Sequence, residues 1–428
     1  MGEATRRELY PFVFLTHLQT DKFKTATLRL SLLTQLDRDT AAQNAILPRV
    51  LLRGTQRYPD MEALAKAQEE LYGAELEQKV FKKGEIQCVN LGASFVDDKC
   101  LPPGEGILEQ ITALLGEILL CPALEEGEFQ TAYVASEREK LLDEIEGRIN
   151  NKQGYAIHRL IELMCDGEPF SIYRLGREEE AQEIEAETLT QHYKKLLATS
   201  PIEIFYSGTA PVEKVEQALQ AALKTLPRAE PDFDLGTDVR MNSLEEEPRY
   251  FTEELDVTQG KLSLGFRLGS AMEEPDYAAL QLFNYIYGGS INSKLFLHVR
   301  ERLSLCYYAS SILEKYKGLL LVASGIEFAK YDEAKREILG QLEAMMKGEI
   351  SEEELDWGKK SLMTDLRMVK DDQAQLEDFY LSQTILGAEC SLEETIAAVE
   401  RVEKAKIVEI AAGLQLDAVY FLSGEEAE

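Results

Sequence analysis

Four histidines are on hand for catalysis or metal binding: His17, His158, His192 and His298. No two lie three or four residues apart, so no helix face can present two imidazoles to one ion. Each reads as a surface or core side chain. The six cysteines (Cys88, Cys100, Cys121, Cys165, Cys306 and Cys390) include no Cys-x-x-Cys pair, and most read as buried small hydrophobes. The densest acidic run, SEREKLLDEIEGR over 136–148, could bring Glu137, Glu144 and Glu146 toward a metal. Its interleaved Lys and Arg make a solvated helix face the ordinary reading. No Gly-x-Ser-x-Gly elbow, phosphate loop or dinucleotide fingerprint follows a strand pattern. The Gly288-Gly289-Ser290 turn lacks the Lys-Ser/Thr ending of a phosphate cradle.

These residues sit in a chain of 428, with 46 basic and 77 acidic side chains and a net charge of -31. That length suits two or three domains, each able to bury its own core. A hydrophobic share of 45% with 29% charged residues is globular composition. The acidic balance speaks against nucleic acid and anionic membrane surfaces, both of which call for a basic patch. A solubilising coat is its plain explanation; attraction of cationic peptides is the other. The apolar stretch 10–15 is too short for a secretory signal, and Arg6 stands where a myristoylation motif needs Ser or Thr. No segment approaches the roughly 20 apolar residues of a membrane span. The expected location is cytoplasmic.

Patterning supplies the elements that must position any site. Alternating runs predict strands over 11–17 and 25–33, then a helix over 39–52, the turn Arg53-Gly54-Thr55 and a helix over 61–71. A hairpin turning at Lys83-Gly84 follows, then helices near 106–120, 128–149, 155–165 and 191–197, a strand at 202–206 and a helix over 212–225. The stretch 227–248, rich in Pro, Asp and Glu, reads as an interdomain linker. Beyond it the order repeats. Strands at 250–257 and 261–268 precede a helix over 276–287, the Gly-Gly-Ser turn and a short helix over 294–300. A second hairpin turns at Lys317-Gly318, and helices over 331–346 and 351–368 lead to a strand at 418–422. VFKKGEIQCVNLGASF and ILEKYKGLLLVASGIE are the same hairpin twice, which points to a fused duplication. Hairpins followed by runs of helices indicate α+β layers: two domains, 1–226 and 249–428, each an antiparallel sheet packed against helices.

Several runs carry a resemblance across essentially the whole chain. They are LLRGTQRYP (51–59), EELYGAELEQKVFKKGE (69–85) and the stretch 137–176 in the first half. In the second they are ELDVTQGKLSLGFR (254–267) and YGGSINSKLFLHVRERLSLCYY (287–308). With them the chain resembles the M16 (pitrilysin/insulinase) metallopeptidases of the two-domain bacterial type. It is similar in particular to the non-catalytic member of a Gram-positive pair associated with elongation factor P 5-aminopentanol modification. Active members hold zinc with His-x-x-Glu-His on the helix before a turn like VLLRGT. The resemblance places Ala45 at the first histidine, Pro48 at the general base and Arg49 at the second histidine, with the third ligand near Asp143-Glu144. A methyl, a ring without donor or acceptor and a fixed cation neither ligate Zn²⁺ nor deprotonate water. No cofactor is expected in this chain, and no zinc-peptidase activity from it alone.

The same resemblance marks Arg300 and Tyr307 in VRERLSLCYY, and the Gly288-Gly289 turn, as substrate-binding positions. A planar guanidinium can grip a carbonyl or carboxylate, and a tyrosine hydroxyl can donate to a forming oxyanion. Packing of Tyr307 on the hairpin and pairing of Arg300 with a nearby Glu is the structural alternative. The implied function is that of a non-catalytic, substrate-positioning subunit of a heterodimeric peptidase whose partner carries the zinc. A structural or peptide-binding subunit without cleavage, with a link to elongation factor P modification, is the alternative. Absent its partner, the chain is expected to form a homodimer.

Overall fold

The computed structural model describes residues 4–231 and 233–424. By its contacts the chain divides into two units. The first comprises Met1–Glu146, Ile172–Gly236 and Gln373–Gly387, and the second Gly147–Ser171, Thr237–Asp372 and Ala388–Glu428. The division inside the expected linker falls between Gly236 and Thr237. Where sequence predicts a clean cut, however, each unit includes one helix embedded in the other half's sequence: Gln373–Leu386 in the first, Lys152–Met164 in the second.

Strands of the first unit are β1 (Thr5–Tyr10), β2 (Val13–Gln19), β3 (Thr25–Gln35), β4 (Glu75–Lys83), β5 (Ile86–Val96), the short pair β6 (Leu124–Glu125) and β7 (Glu128–Phe129), and β8 (Ile202–Gly208). Six of them form one sheet in the order β1-β2-β8-β3-β5-β4. In the second unit β9 (Arg249–Leu255), β10 (Gly260–Arg267), β11 (Cys306–Glu314), β12 (Leu319–Ile326) and β13 (Gln415–Gly424) form a sheet ordered β11-β12-β10-β13-β9. The α+β class holds, but neither sheet is wholly antiparallel. β2 runs parallel to β8, and β9 runs parallel to β13. A parallel neighbour requires a long crossover, and in each unit most of the chain lies between the two strands. Read from opposite ends, β2-β8-β3-β5-β4 and β9-β13-β10-β12-β11 are one topology with the parallel pair in the same place. The repeated hairpin is therefore part of a repeated fold.

The first core gathers Leu28, Leu30 and Leu32 of β3 and Val89 and Leu91 of β5 under Ile46, Leu47 and Val50 of the Arg38–Leu51 helix. On a second cluster, Leu33, Ile86 and Cys88 meet Leu381 of the Gln373–Leu386 helix. Polar side chains fix that helix: Asn90 Nδ2 donates to Glu377 Oε1 at 2.7 Å, and Lys83 Nζ reaches Asp378 Oδ1 at 2.7 Å and Ser382 Oγ at 2.9 Å. In the second unit the Lys152–Met164 helix lays Ala156, Leu160 and Met164 on Leu321, Ala418 and Tyr420. It lies so close that a Cβ at Gly265 would stand 2.3 Å from Met164 Sδ. The turn after it is tied in by buried charges. Arg267 Nη2 is 2.7 Å from Glu168 Oε1, Arg267 Nε is 2.8 Å from Asp417 Oδ2, and Lys317 Nζ is 2.7 Å from Glu168 Oε2.

Other elements differ in extent from the sequence reading. The helix expected at 128–149 begins at Thr131, because Glu128 and Phe129 pair with β6. The one expected at 191–197 runs over Ala186–Thr199. The helix expected over 276–287 is α-helical over Tyr277–Asn284 and then widens into a π-helical turn, Tyr285–Gly289; the segment Leu295–Arg302 is π-helical as well. Only Cys88, Cys165 and Cys306 are buried, whereas Cys100 and Cys390 are exposed. Among the described residues no helix is long and apolar enough to cross a membrane.

Candidate functional site

The degenerate motif lies on the Arg38–Leu51 helix of the first unit. Asp37 caps its N-terminus by accepting from the Asp39 amide at 2.8 Å, and Pro48 sits inside its last turn. Ala45 and Pro48 are buried and carry no donor atom. Arg49 points to the Thr131–Gly147 helix, where its Nη2 is 2.5 Å from Glu144 Oε2; Arg174 Nη2 lies 3.8 Å from the other oxygen of that carboxylate. One turn on, Arg53 repeats the contact with Glu137: Nε at 2.6 Å and Nη2 at 2.5 Å. Ser136 Oγ accepts from Arg53 at 2.7 Å, and Lys140 Nζ adds a third cation-borne contact to Glu137 at 2.8 Å.

Glu137 is thus buried and paired, a correction to the solvated face expected for this helix. Its inward position follows from spacing: 137 and 144 are seven residues apart, two turns, on the side that meets Arg49 and Arg53. Asp143, Glu144 and Glu146 are exposed. The polar residue nearest the motif, Asn44, is also committed. Its Oδ1 accepts from His192 Nε2 at 2.6 Å, and its Nδ2 donates to Gln87 Oε1 at 2.8 Å. Zinc needs N, O or S donors converging at about 2 Å, and these side chains do not fit it. Among the described residues no three His, Cys, Asp or Glu are grouped for a metal.

His17 is buried with Nε2 at 2.9 Å from the Ala210 carbonyl oxygen, and burial lowers its pKa. His192 is lowered to about 4, by burial first and by Lys195 second. Burial also depresses His298, with Lys294 adding to it. His158 lies half-buried on the Lys152–Met164 helix.

In the second unit three of the four sequence-marked residues, Gly288, Gly289 and Arg300, gather at an open cleft of about 740 Å³. Its floor is the π-helical turn with Gly288 and Gly289, one wall is edge strand β11 at Tyr308–Ser310, and another is the Glu352–Met368 helix. Arg300 and Phe296 close it from the second π-helical segment. π-Helical insertions recur at functional sites, and here two flank one turn. Gly288 is required by approach: a Cβ there would lie 2.7 Å from the Ser311 amide nitrogen and 2.7 Å from Leu295 Cδ1. Arg300 stacks over Phe296, its guanidinium 4.6 Å from the ring centroid, and its Nε is 3.6 Å from Glu301. Neither contact occupies the outer N–H fork.

Tyr307 does not line the cleft. It is the extra residue of a β-bulge, for Cys306 pairs with Ile326 and Tyr308 with Gly325, and its side chain is 63% exposed. A bulge re-aims one side chain out of the pleat, and here Tyr307 is turned to solvent. Tyr308 is the tyrosine that faces the cleft, and burial raises its pKa. Opposite it stands Tyr285, whose hydroxyl donates to Asp365 Oδ2 at 2.7 Å; burial, then Asp365, raises its pKa. Sequence reasoning missed the helical wall, Trp357, Lys360, Ser361, Thr364 and Asp365. Their spacing of three and four residues places them on one face, and Trp357 is the chain's only tryptophan. That was the available signal.

Comparison with known proteins agrees with this geometry. The profile described as "Peptidase M16 inactive domain" matches residues 183–362. A Bacillus subtilis protein described as "Probable inactive metalloprotease YmfF" is 34% identical over 411 residues, covering 96% of this chain and 95% of that one. A conserved protein from Enterococcus faecalis V583 of known crystal structure shares 29% identity and superposes with a TM-score of 0.89 over 100% of both chains. The crystal structure of a peptidase M16 inactive domain from Pseudomonas fluorescens shares the fold, with a TM-score of 0.81 at 16% identity over 99% of each chain.

Proposed function

The chain belongs to the M16 peptidase family as an inactive homologue, and within that family we propose that it is the substrate-positioning subunit of a heterodimeric peptidase whose partner carries zinc. One contrast supports the reading. The helix that would hold the metal offers Ala45, Pro48 and Arg49, while the second unit keeps an open, aromatic-walled cleft lined by Arg300, with exposed Tyr307 next to cleft-lining Tyr308 in the chain.

The partner's zinc supplies the activation of water; this chain's residues bind and orient. Arg300 has donors free to hold a peptide carbonyl or carboxylate, and its stack on Phe296 fixes the plane of the fork. Tyr307 is a neutral hydroxyl donor held out by the bulge. A developing oxyanion within its reach gains one charge-assisted hydrogen bond. Gly288 and Gly289 let the turn close tightly on Ser311 and Asn284, which sets the surface a peptide would meet.

Peptide turnover measured for the chain alone, for a zinc-bearing M16 protein of the same organism alone, and for their mixture tests this. Activity confined to the mixture is expected. In that mixture Tyr307→Phe is expected to slow turnover roughly 10²- to 10³-fold, the usual loss for one oxyanion donor, with the partner's zinc content unchanged. Undiminished turnover removes the role of Tyr307. A mixture that retains peptide without cleaving it identifies a holding subunit instead, and elongation factor P used as bait tests the link to its modification.

A further inference from the structure

We propose that Arg49 is the resident cation of the first unit, a guanidinium that holds Glu144 in place of a metal and so makes this unit structurally complete without one. The sequence change at the motif is then an exchange of one positive centre for another, with the carboxylate kept.

Four observations carry this. Arg49 binds Glu144 at 2.5 Å, and the resemblance sets Arg49 at the family's second histidine and the third ligand near Asp143-Glu144. Glu144 receives a second guanidinium, Arg174, from a different segment, so positive charge converges on it from two sides. The contact is doubled one turn along by Arg53 on Glu137, where Glu137 is 5% exposed and takes two N–H groups of one guanidinium. Finally, the two contacts run in opposite order, 49 with 144 and 53 with 137, so the end of the Arg38–Leu51 helix and the turn after it run antiparallel to the Thr131–Gly147 helix there. A metal holds two helices by sharing their lone pairs; a planar guanidinium does so by donating several N–H groups in fixed directions, and it cannot be removed by a chelator. An isolated surface pair would be worth little, but Arg49 is largely enclosed and each carboxylate meets two cations: Glu144 meets Arg49 and Arg174, and Glu137 meets Arg53 and Lys140.

The test is a double-mutant cycle on the full chain, read as the thermal midpoint by circular dichroism. Arg49→Ala and Glu144→Ala are each expected to lower it by about 2–4 °C, and the double variant by no more than the larger single loss. Arg49→Lys, which keeps the charge but not the fork, is expected to fall between. EDTA and added zinc are expected to leave the unsubstituted midpoint where it is. In the triple variant Ala45→His/Pro48→Glu/Arg49→His the midpoint is expected to drop without metal and to rise again with zinc, with one ion taken up per chain by competition against a colorimetric chelator. Additive single losses, a chelator-sensitive midpoint of the unsubstituted chain, or a folded triple variant that takes up no zinc overturns the proposal. Should the triple variant fail to fold, the cycle alone decides.

Discussion

His192 shows how a single ring can tie the degenerate motif to the rest of the unit. Its Nε2 meets Asn44 Oδ1 at 2.6 Å, and Asn44 precedes Ala45 on the helix. As Oδ1 accepts only, the neutral ring must carry its proton on Nε2. Burial, and after it Lys195, lowers the folded-state pKa to about 4, below the usual 6.5. Between those values the unfolded chain binds a proton that the folded chain refuses. Stability therefore falls as pH drops from 6.5 to 4 and is unchanged by this group outside that window. At 1.36 kcal/mol per unit the upper limit is about 3 kcal/mol, and the partial exposure of the ring reduces it. Urea midpoints across pH 7 to 4 are expected to show this slope, and His192→Gln, whose amide can still donate to Asn44, to flatten it. Equal slopes in both proteins would assign the acid sensitivity elsewhere. None of this was legible from sequence: His192 and Asn44 are 148 residues apart, and neither pattern nor spacing announces a partner at that distance. The lost donors at 45, 48 and 49 were legible, because a motif confined to five residues can be checked position by position. The pairing of Arg49 with Glu144, 95 residues on, could not be.

At the scale of elements, the Gly-Gly-Ser turn sets the distance between the cleft floor and β11. Gly288→Ala places a methyl 2.7 Å from the Ser311 amide nitrogen and Ser311 Oγ, and backbone cannot yield as a flexible side chain can. Overpacking of this kind costs about 1–3 kcal/mol. The variant is expected to unfold at a lower temperature and to shift the emission of Trp357, which lines the same cleft, whereas unchanged emission would mean the turn moves without carrying the cleft with it. Here sequence and structure part company in an instructive way. The hairpins, the two long helices over 331–346 and 351–368, and the Gly-Gly-Ser turn follow from alternation, helical period and turn chemistry. The Gln373–Leu386 helix went unread because it buries Glu377 and Ser382 together with Leu376 and Leu381, so no apolar stripe marks it. The Leu392–Arg401 helix was overlooked although Ser391 and Glu394 form a capping box, a signal present in the sequence. The β-bulge at Tyr307 has no such signal; only the pairing register of β11 on β12 reveals it.

The whole molecule is built from one fold used twice, and the two copies are completed by helices drawn from each other's sequence. Amphipathic patterning says that 152–164 must pack on a sheet, but it cannot say which sheet, so a cut at the linker looked sufficient. The contacts make a different demand on the halves. A fragment ending at Gly236 lacks the Gln373–Leu386 helix and leaves Leu33, Ile86 and Cys88 uncovered, with Asn90 and Lys83 stripped of Glu377 and Asp378. A fragment beginning at Thr237 lacks Lys152–Met164, exposing Leu321 and Tyr420 and leaving buried Arg267 and Lys317 without Glu168. An unpaired charge in an apolar setting is among the costliest defects a small sheet can carry, about 3–5 kcal/mol when one partner of a buried pair is removed. A protease site inserted between Gly236 and Thr237 is therefore expected to be cut without separating the pieces: they should elute together from a sizing column and part only in denaturant. Residues 1–236 produced alone are expected to bind a hydrophobic dye and to lack a cooperative melt. A monodisperse 1–236 fragment with a sharp unfolding transition would show instead that the helix from the second half is an ornament to the first unit, and that each copy of the fold closes its own core.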